Sequence, residues 1–137
     1  MQASYLFIYG TLLIADNEFA KYLQNNSTFF AKGQFKGILY DAGDYPVAIT
    51  NNNDGFYVKG SVVELTNPEE TLKYIDPYEG YGIGQSQPYL YLRELLNIET
   101  ENGIVQCWVY IYNRTTENFH RIDSGDYIGY LENKKSL

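Results

Sequence analysis

An unbroken run of apolar and aromatic residues extends from Tyr5 to Tyr9 and stops at Gly10. A run of this length predicts a strand that is buried on both faces. Glycine lets the backbone turn sharply or approach another group closely, and the N–H groups of Thr11 and Leu12 follow at the strand end. A turn of this kind can hold an anion or a carbonyl oxygen. The alternative is a buried strand that simply ends at a turn.

Further strands are predicted from apolar, β-branched and aromatic stretches that are bounded by turn residues. Glycines at positions 33 and 37 interrupt one of them, where a β-bulge or a barrel corner would fit. The Asn-Asn-Asn-Asp-Gly sequence at 51–55 is the strongest turn signal in the chain and predicts a hairpin between its flanking strands. The predicted strands cover residues 5–9, 28–40, 47–50, 56–65, 89–96 and 104–112.

Two stretches carry helix-start signals. Asp16 is a suitable N-cap for a short helix over 16–24. In the second, Asn67 caps the helix and Pro68 occupies the first helical position. This helix is expected to end before Pro77, because the residue that precedes a proline avoids helical geometry.

The order of these elements predicts an α+β fold. Strands outnumber helices, and the turn signals between them favour antiparallel pairs. Glycines within the strands permit the bending that closes a sheet, so we expect a small mixed β-barrel flanked by short helices. A length of 137 residues fits one domain. Its core is expected to cover about residues 5–127, and the turn-rich stretch from Asn113 onward is expected to end in a polar C-terminal tail.

The chain is acidic, with 17 Asp and Glu residues, 10 Lys and Arg residues and a net charge of −7. Such a chain repels phosphate backbones and has no basic patch, so nucleic acid is not an expected partner. The single cysteine, Cys107, is expected to be a small core residue. No segment is long enough to span a membrane and the apolar run after Met1 is too short for a signal peptide, so we expect a cytoplasmic protein.

Few residues are candidates for chemistry. The one histidine, His120, lies in a polar stretch and is expected to be solvated, so no metal site and no nucleophile–base pair is indicated. Glu79 follows a helix-ending Asp-Pro step and is flanked by Tyr78 and Tyr81. A carboxyl group between aromatic rings is partly desolvated, which raises its pKa and suits it to proton transfer near neutral pH. The alternative is an exposed loop acid.

Arg93 is the second candidate. On a strand it shares one face with Tyr89 and Tyr91. A cation on a tyrosine-lined face can hold a substrate carboxylate, or it can form a structural ion pair with an acid. The 15 tyrosines of the chain fit either a core with a polar pocket or a tyrosine-rich sheet surface.

Several short motifs occur in order along the chain. They are Tyr9-Gly10-Thr11-Leu12, the segments 39–46 and 58–65, Ile75-Asp76-Pro77-Tyr78-Glu79-Gly80-Tyr81, Tyr91-Leu92-Arg93, the segment 108–112 and Ser124-Gly125-Asp126-Tyr127. Together they resemble the YGS/TL, V-x-G-x-V/L, LDxYEGY, YxR, W-V-Y and SGDW motifs of the gamma-glutamylcyclotransferase-like family. Pro77 and Tyr127 depart from the family pattern, and neither is the proposed base.

The resemblance implies a small mixed barrel and an activity that needs no cofactor. In that reaction the free α-amine of a γ-glutamyl group attacks its own side-chain carbonyl, giving 5-oxoproline and a released amine or amino acid. The resemblance makes Glu79 the general acid/base. It assigns binding of this small-molecule substrate to the backbone of Gly10, Thr11 and Leu12 and to the side chains of Tyr9, Tyr45, Arg93 and Tyr112.

Three functions therefore fit the sequence. The first is the cyclisation itself, and the second is binding of a small amine or acid in the same pocket without turnover. The third is a structural or interaction domain with a tyrosine-rich surface. That third function predicts an exposed Glu79 and no cleft beside Gly10.

Overall fold

The computed structural model describes residues 4–13, 16–52 and 55–135. These ranges contain seven strands, three α-helices and a short 3-10 helix at Thr11–Leu13. The strands are β1 (Tyr5–Ile8), β2 (Ser27–Asp41), β3 (Pro46–Thr50), β4 (Tyr57–Leu65), β5 (Tyr91–Thr100), β6 (Gly103–Tyr112) and β7 (His120–Ile122). The helices are α1 (Glu18–Asn25), α2 (Pro68–Ile75) and α3 (Tyr127–Lys135).

Five of the strands close into a barrel in the order β2-β4-β1-β6-β5. The barrel closes where Gly33 and Gln34 of β2 pair with the end of β5. All neighbouring strands run antiparallel except β1 and β6, which pair in parallel at Leu6 and Trp108. The predicted α+β class, with a small mixed barrel and short helices, is confirmed.

The long strand β2 provides pairing edges for four other strands. Its first part pairs with β4 and its last part with β3, while β5 and β7 attach at two further places. The prediction that residues 51–55 close a hairpin between the strands on either side is therefore wrong, because β2 lies between β3 and β4. Asn53 and Asp54 of that turn lie outside the described residues. Turn residues indicate only that the chain reverses locally. They do not indicate whether another strand, here β2, lies between the two strands that the turn connects.

The antiparallel pair β5 and β6 is confirmed. Its register extends from Tyr91 opposite Tyr112 to Thr100 opposite Gly103. The connection is therefore shorter than the gap between the predicted strands 89–96 and 104–112, because β5 continues to Thr100 and β6 begins at Gly103.

Two apolar clusters explain why the first strand is hydrophobic throughout. One contains Phe7 together with residues from each of the other four barrel strands, and fills the barrel. The other contains Leu6 and Ile8 together with Leu23 of α1 and Leu72 of α2. Successive residues of β1 thus point into different clusters, which confirms the prediction of a strand buried on both faces.

The helix starts differ in detail from the sequence-based expectations. Helix α1 begins at Glu18, and the side chain that caps it belongs to Asn17, which accepts a hydrogen bond from the Ala20 N–H at 2.9 Å, so Asp16 is not the cap. Helix α2 begins at Pro68 and ends at Ile75, as predicted. Asn67 precedes it, but the Asn67 side chain makes no capping hydrogen bond.

The C-terminal stretch is more ordered than predicted. It contains β7 and α3 instead of a polar tail without regular structure. Tyr127, the first residue of α3, is 4% exposed and belongs to the cluster that fills the barrel. The Tyr130 hydroxyl donates to Asp41 at 2.6 Å. The prediction of a polar tail was wrong because α3 contacts the core with only part of its surface, so most of its residues can be polar.

Candidate active site

A cavity of about 290 Å³ lies where β1 ends. Apolar residues of β1 and the Gly10 turn form part of its wall. The loop before β3, the turn after α2, the start of β5 and one residue of β6 form the rest. Five tyrosines and two acids provide its polar lining: Tyr9, Tyr45, Tyr78, Tyr91, Tyr110, Asp44 and Glu79. No lysine or arginine is among the lining residues that the structure describes. The cavity is therefore a tyrosine-walled pocket with an acidic character.

The turn after β1 is closely packed against the start of β3. A β-carbon built on Gly10 would lie 2.6 Å from Cγ of Pro46, so a larger residue would displace one of the two segments. The short 3-10 helix follows, in which the Leu13 N–H donates to the Gly10 carbonyl at 3.0 Å. The first N–H groups of such a turn have no carbonyl partner within it. The backbone at Thr11 and Leu12 is therefore suited to donating hydrogen bonds to a ligand in the cavity.

Glu79 belongs to the turn that follows α2. Its N–H donates to the carbonyl groups of Ile75 at 3.2 Å and Asp76 at 3.1 Å. The next residue, Gly80, has a φ of +68°, and a β-carbon there would lie 2.9 Å from Cβ of Leu90. Glycine is thus required at this position to turn the chain beside Leu90 and leave Glu79 at the cavity wall.

The Glu79 carboxyl group has an unusual electrostatic environment. Burial and, as the smaller cause, the negative charge of the neighbouring Asp76 carboxylate together raise its pKa from 4.5 to about 8. Among the described residues no cation pairs with it to offset these effects. Glu79 is therefore not the exposed loop acid of the alternative interpretation. Near neutral pH it can hold or release a proton.

The tyrosine hydroxyls around Glu79 donate to other protein groups. Tyr9 donates to the Tyr110 carbonyl. Tyr91 donates to the Pro46 carbonyl at 2.8 Å, and Tyr110 donates to the Asp76 carboxylate at 2.7 Å. Burial raises the pKa of all three hydroxyls well above the ordinary value for tyrosine. They therefore stay neutral, fix the cavity walls and do not act as bases at neutral pH.

Most of the site residues expected from the sequence lie at this cavity. Tyr9, Gly10, Leu12, Tyr45 and Glu79 line it together. Thr11 lies between two of these residues along the chain, and its side chain is outside the described part of the structure.

Arg93 and Tyr112 lie elsewhere. Arg93 forms a bidentate ion pair with the Asp76 carboxylate. The distance from Nε to Oδ1 is 2.8 Å and the distance from Nη2 to Oδ2 is 3.1 Å. This is the structural ion pair that the sequence left open as an alternative. Tyr112 packs against the rings of Tyr91 and Phe119, at centroid distances of 5.7 Å and 5.8 Å.

Among the polar residues of the cavity, four were not assigned as site residues from the sequence: Asp44, Tyr78, Tyr91 and Tyr110. Tyr91 and Tyr110 belong to the apolar alternation of strands β5 and β6, which is equally typical of core residues. Their distinguishing contacts are long-range, since Tyr91 bonds to Pro46 and Tyr110 to Asp76. No signal within the sequence could have identified those partners.

In the described ranges, no group of three or more His, Cys, Asp or Glu side chains is arranged to hold a metal ion. None of the helices in those ranges is both long and apolar enough to cross a bilayer.

Comparison with known proteins gives consistent matches over nearly the whole chain. The family model described as "Gamma-glutamyl cyclotransferase, AIG2-like" matches residues 6–129. The "Gamma-glutamylcyclotransferase family protein YtfP" of Escherichia coli K12 is 30% identical over 130 residues, which cover 90% of this chain and 95% of that protein.

Solved structures show the same similarity. The solution structure of ytfP from Escherichia coli has a TM-score of 0.67 at 25% identity and covers 92% of this chain and 97% of that chain. The crystal structure of YkqA from Bacillus subtilis has a TM-score of 0.74 at 28% identity and covers 99% of this chain. The chain spans 44% of the length of YkqA.

Proposed function

Because the chain belongs to the gamma-glutamyl cyclotransferase, AIG2-like family, we propose that it converts a γ-glutamyl compound into 5-oxoproline and a free amine or amino acid, with Glu79 as the general acid/base. The observation that carries this proposal is that Glu79 and the Gly10 turn line the same cavity. The third function considered above, a domain without a cleft beside Gly10, is inconsistent with that geometry.

The cavity suits a ligand of the size of a glutamyl group. Its volume of about 290 Å³ is at the lower end of the range usual for small-molecule sites. The walls are largely apolar, and the backbone N–H groups after Gly10 provide donors for the glutamyl carboxylate or for the side-chain carbonyl oxygen. These features support an enclosed glutamyl group with the leaving amine nearer the opening.

The reaction begins with proton transfer to Glu79. The ionised carboxylate takes a proton from the α-ammonium group of the substrate, and the resulting amine attacks the side-chain carbonyl carbon. An α-amino group at a peptide terminus has a pKa of about 8. The free carboxylate beside the α-ammonium group of a γ-glutamyl compound raises this value, so that it lies somewhat above the pKa of Glu79, which is about 8. Proton transfer between the two groups is therefore close to balanced, which is the condition for efficient general base catalysis.

The second half of the reaction returns the proton. Attack forms a five-membered ring with a tetrahedral carbon and a negatively charged oxygen, which the N–H groups of Thr11 and Leu12 stabilise. A single donor of this kind typically contributes about 3–4 kcal/mol. As the carbonyl reforms, protonated Glu79 gives its proton to the leaving nitrogen and the carbon–nitrogen bond breaks. The ring nitrogen gives up its second proton to the released amine, which departs as an ammonium group and leaves a neutral 5-oxoproline nitrogen behind. The substrate supplies its own nucleophile, so the protein needs none.

The decisive experiment is to incubate the protein with γ-glutamyl amides and γ-glutamyl dipeptides and measure 5-oxoproline. We expect product from the wild-type protein and a rate about 10²–10⁴-fold lower for Glu79→Gln. Glu94→Gln, at an exposed acid of β5, is the matched control and is expected to keep full activity. Product formation that survives Glu79→Gln would overturn the assignment of the base. Tight binding of a γ-glutamyl compound in calorimetry without any product would favour the non-catalytic binding function instead.

The pH dependence provides a second test. Because the base form of Glu79 appears only as the pH rises through about 8, kcat/KM is expected to increase from about pH 6 to a maximum near or just above pH 8. It is expected to decrease at higher pH, where the free substrate loses the ammonium proton that Glu79 must take. An ordinary carboxyl group would already be ionised throughout this range, so a profile that is flat above pH 6 would contradict the assigned environment.

A further inference from the structure

We propose that Asp76 is the positioning residue of this site. Its side chain anchors to the barrel the turn that contains Glu79, and the Arg93 guanidinium balances the charge of Asp76. The proposal deepens the function proposed above and rests on it. It concerns a residue that does not itself line the cavity.

The Glu79 turn depends on the Asp76 backbone. The Asp76 carbonyl accepts hydrogen bonds from the N–H groups of Glu79 at 3.1 Å and Tyr81 at 3.0 Å. Asp76 is also the C-cap of α2, and its own N–H donates to Leu72 at 2.8 Å. The backbone of one residue therefore links the helix to both ends of the segment that presents the carboxyl group.

The Asp76 side chain attaches this turn to the barrel. Arg93 of β5 donates to both carboxylate oxygens, and the Tyr110 hydroxyl of β6 donates to one of them at 2.7 Å. The Asp76 and Arg93 side chains are each only 16% exposed. A bidentate ion pair of this kind fixes the relative orientation of the two side chains as well as the distance between them. A shift of either strand would therefore be transmitted to the Glu79 turn.

Arg93 is itself held in place. Its guanidinium lies 4.5 Å from the centre of the Trp108 ring and 5.7 Å from that of Tyr81. Tyr81 belongs to the same turn as Glu79, so the cation is enclosed between the barrel and the turn. Such stacking favours arginine over lysine, because the lysine ammonium group is not planar and cannot form a bidentate ion pair.

Asp76 also places a charge beside the base. The titratable groups that face Glu79 are Asp76 in its own turn, Tyr9 directly after β1, Tyr91 of β5 and Tyr110 of β6. Asp44 lies at the same cavity. The three tyrosines are neutral at physiological pH, so the charge that raises the pKa of Glu79 is that of Asp76. Arg93 is bonded to the same carboxylate and therefore offsets part of its negative charge.

This arrangement gives a signature that a purely structural ion pair would not show. Asp76→Asn and Arg93→Gln both break the bidentate Arg93–Asp76 ion pair, but they change the local charge in opposite directions. Asp76→Asn is expected to lower the pKa of Glu79, and Arg93→Gln is expected to raise it, each by about one unit. A contact that acts only on stability would shift both variants in the same direction or neither.

The experiment combines kinetics with direct titration. The Glu79 side chain is labelled with ¹³C and its carboxyl resonance is followed against pH in wild type, Asp76→Asn and Arg93→Gln. In the 5-oxoproline assay, both variants are expected to lose about 10–100-fold in kcat while KM changes less than about threefold. Asp123→Asn is the matched control, since it breaks the exposed Arg121–Asp123 pair, at 2.6 Å, and is expected to change neither readout.

Two outcomes would overturn the proposal: titration midpoints that shift in the same direction in both variants, or a loss of activity that appears only in KM. If Asp76→Asn does not fold, Arg93→Lys is tested in its place, because it keeps the positive charge but cannot form the bidentate ion pair. It is expected to lower kcat and leave the Glu79 midpoint unchanged, and a shifted midpoint would contradict the proposal. If the wild type makes no 5-oxoproline, the proposed function fails, and the titrations still test the role of Asp76.

Discussion

At the scale of single residues, the environment that suits Glu79 to proton transfer also lowers the stability of the fold. The unfolded chain has an ordinary carboxyl pKa of 4.5, whereas the folded protein raises it to about 8. Between these values the unfolded state has lost the proton that the folded state still binds, so ionisation favours unfolding. The stability associated with the protonated group is complete below pH 4.5 and is lost as the pH rises through about 8.

Glu79→Gln is therefore expected to stabilise the protein in a pH-dependent manner. The amide stays neutral, so the variant should match wild type at pH 4 and exceed it at pH 9. Each unit of pKa difference corresponds to about 1.4 kcal/mol. Urea denaturation at pH 4, 7 and 9 measures the difference, with Glu94→Gln as the control. A constant difference at all three pH values would show that the carboxyl group titrates normally in the folded protein.

At the scale of structural elements, the turn after α2 depends on a glycine that no other residue can replace without strain. Gly80→Ala would place an L-residue at φ +68° and a β-carbon 2.9 Å from Leu90. We expect a loss of about 1–2 kcal/mol from the backbone conformation, further loss from the clash and a marked decrease in 5-oxoproline formation. Gly84→Ala is the matched control, because Gly84 has a φ of +89° but nothing within 4 Å of its added β-carbon. Equal effects of the two substitutions in thermal melts and activity assays would contradict this account.

Helix α3 allows a second test at this scale. Lys134 lies 3.3 Å from Asp41 with 53% of its side chain exposed, and exposed pairs contribute little. A chain that ends at residue 133 is therefore expected to melt within a few degrees of wild type. A chain that ends at residue 126 also loses the buried Tyr127 and the Tyr130–Asp41 hydrogen bond, and should lose its cooperative transition. Similar melting curves for the two truncations would argue that α3 does not belong to the core.

At the scale of the whole molecule, charge is expected to select the substrate. The chain carries a net charge of −7, and the cavity contains Asp44 and Glu79 but no lysine or arginine among its described lining residues. A leaving group that carries a carboxylate would enter against this charge, whereas a neutral or cationic amine would not. We propose that γ-glutamyl amides with an ammonium at the far end are better substrates than amides of equal length that end in a carboxylate.

The ratio of kcat/KM for these two substrates is the measurement. It is expected to favour the ammonium compound, to decrease in Asp44→Asn and to decrease with added salt, because exposed charges are screened. Glu94→Gln removes one negative charge on β5 outside the cavity lining and should leave the ratio unchanged. A preference for the carboxylate compound would indicate a cationic contact that the cavity does not provide.

Local features of the chain were sufficient to predict several elements. The apolar run of β1, the Pro68 start of α2 and the antiparallel β5–β6 pair depend on residues that are close in sequence, and all three were confirmed. The motif resemblance indicated the family and the barrel. Gly10 was singled out because a glycine at a strand end lets the backbone approach another group closely. Glu79 was singled out because a carboxyl group between tyrosines is partly desolvated.

Tertiary contacts decided the rest, because their partners are distant along the chain. The position of β2 between β3 and β4 reverses the pairing that the 51–55 turn suggested. Arg93 pairs with Asp76 and not with a ligand in the cavity because the fold places the residue that follows α2 beside β5. The pKa of Glu79 depends on burial by residues of β1, β5 and β6, and solvent exclusion is a property of the assembled barrel that short-range sequence patterns do not contain.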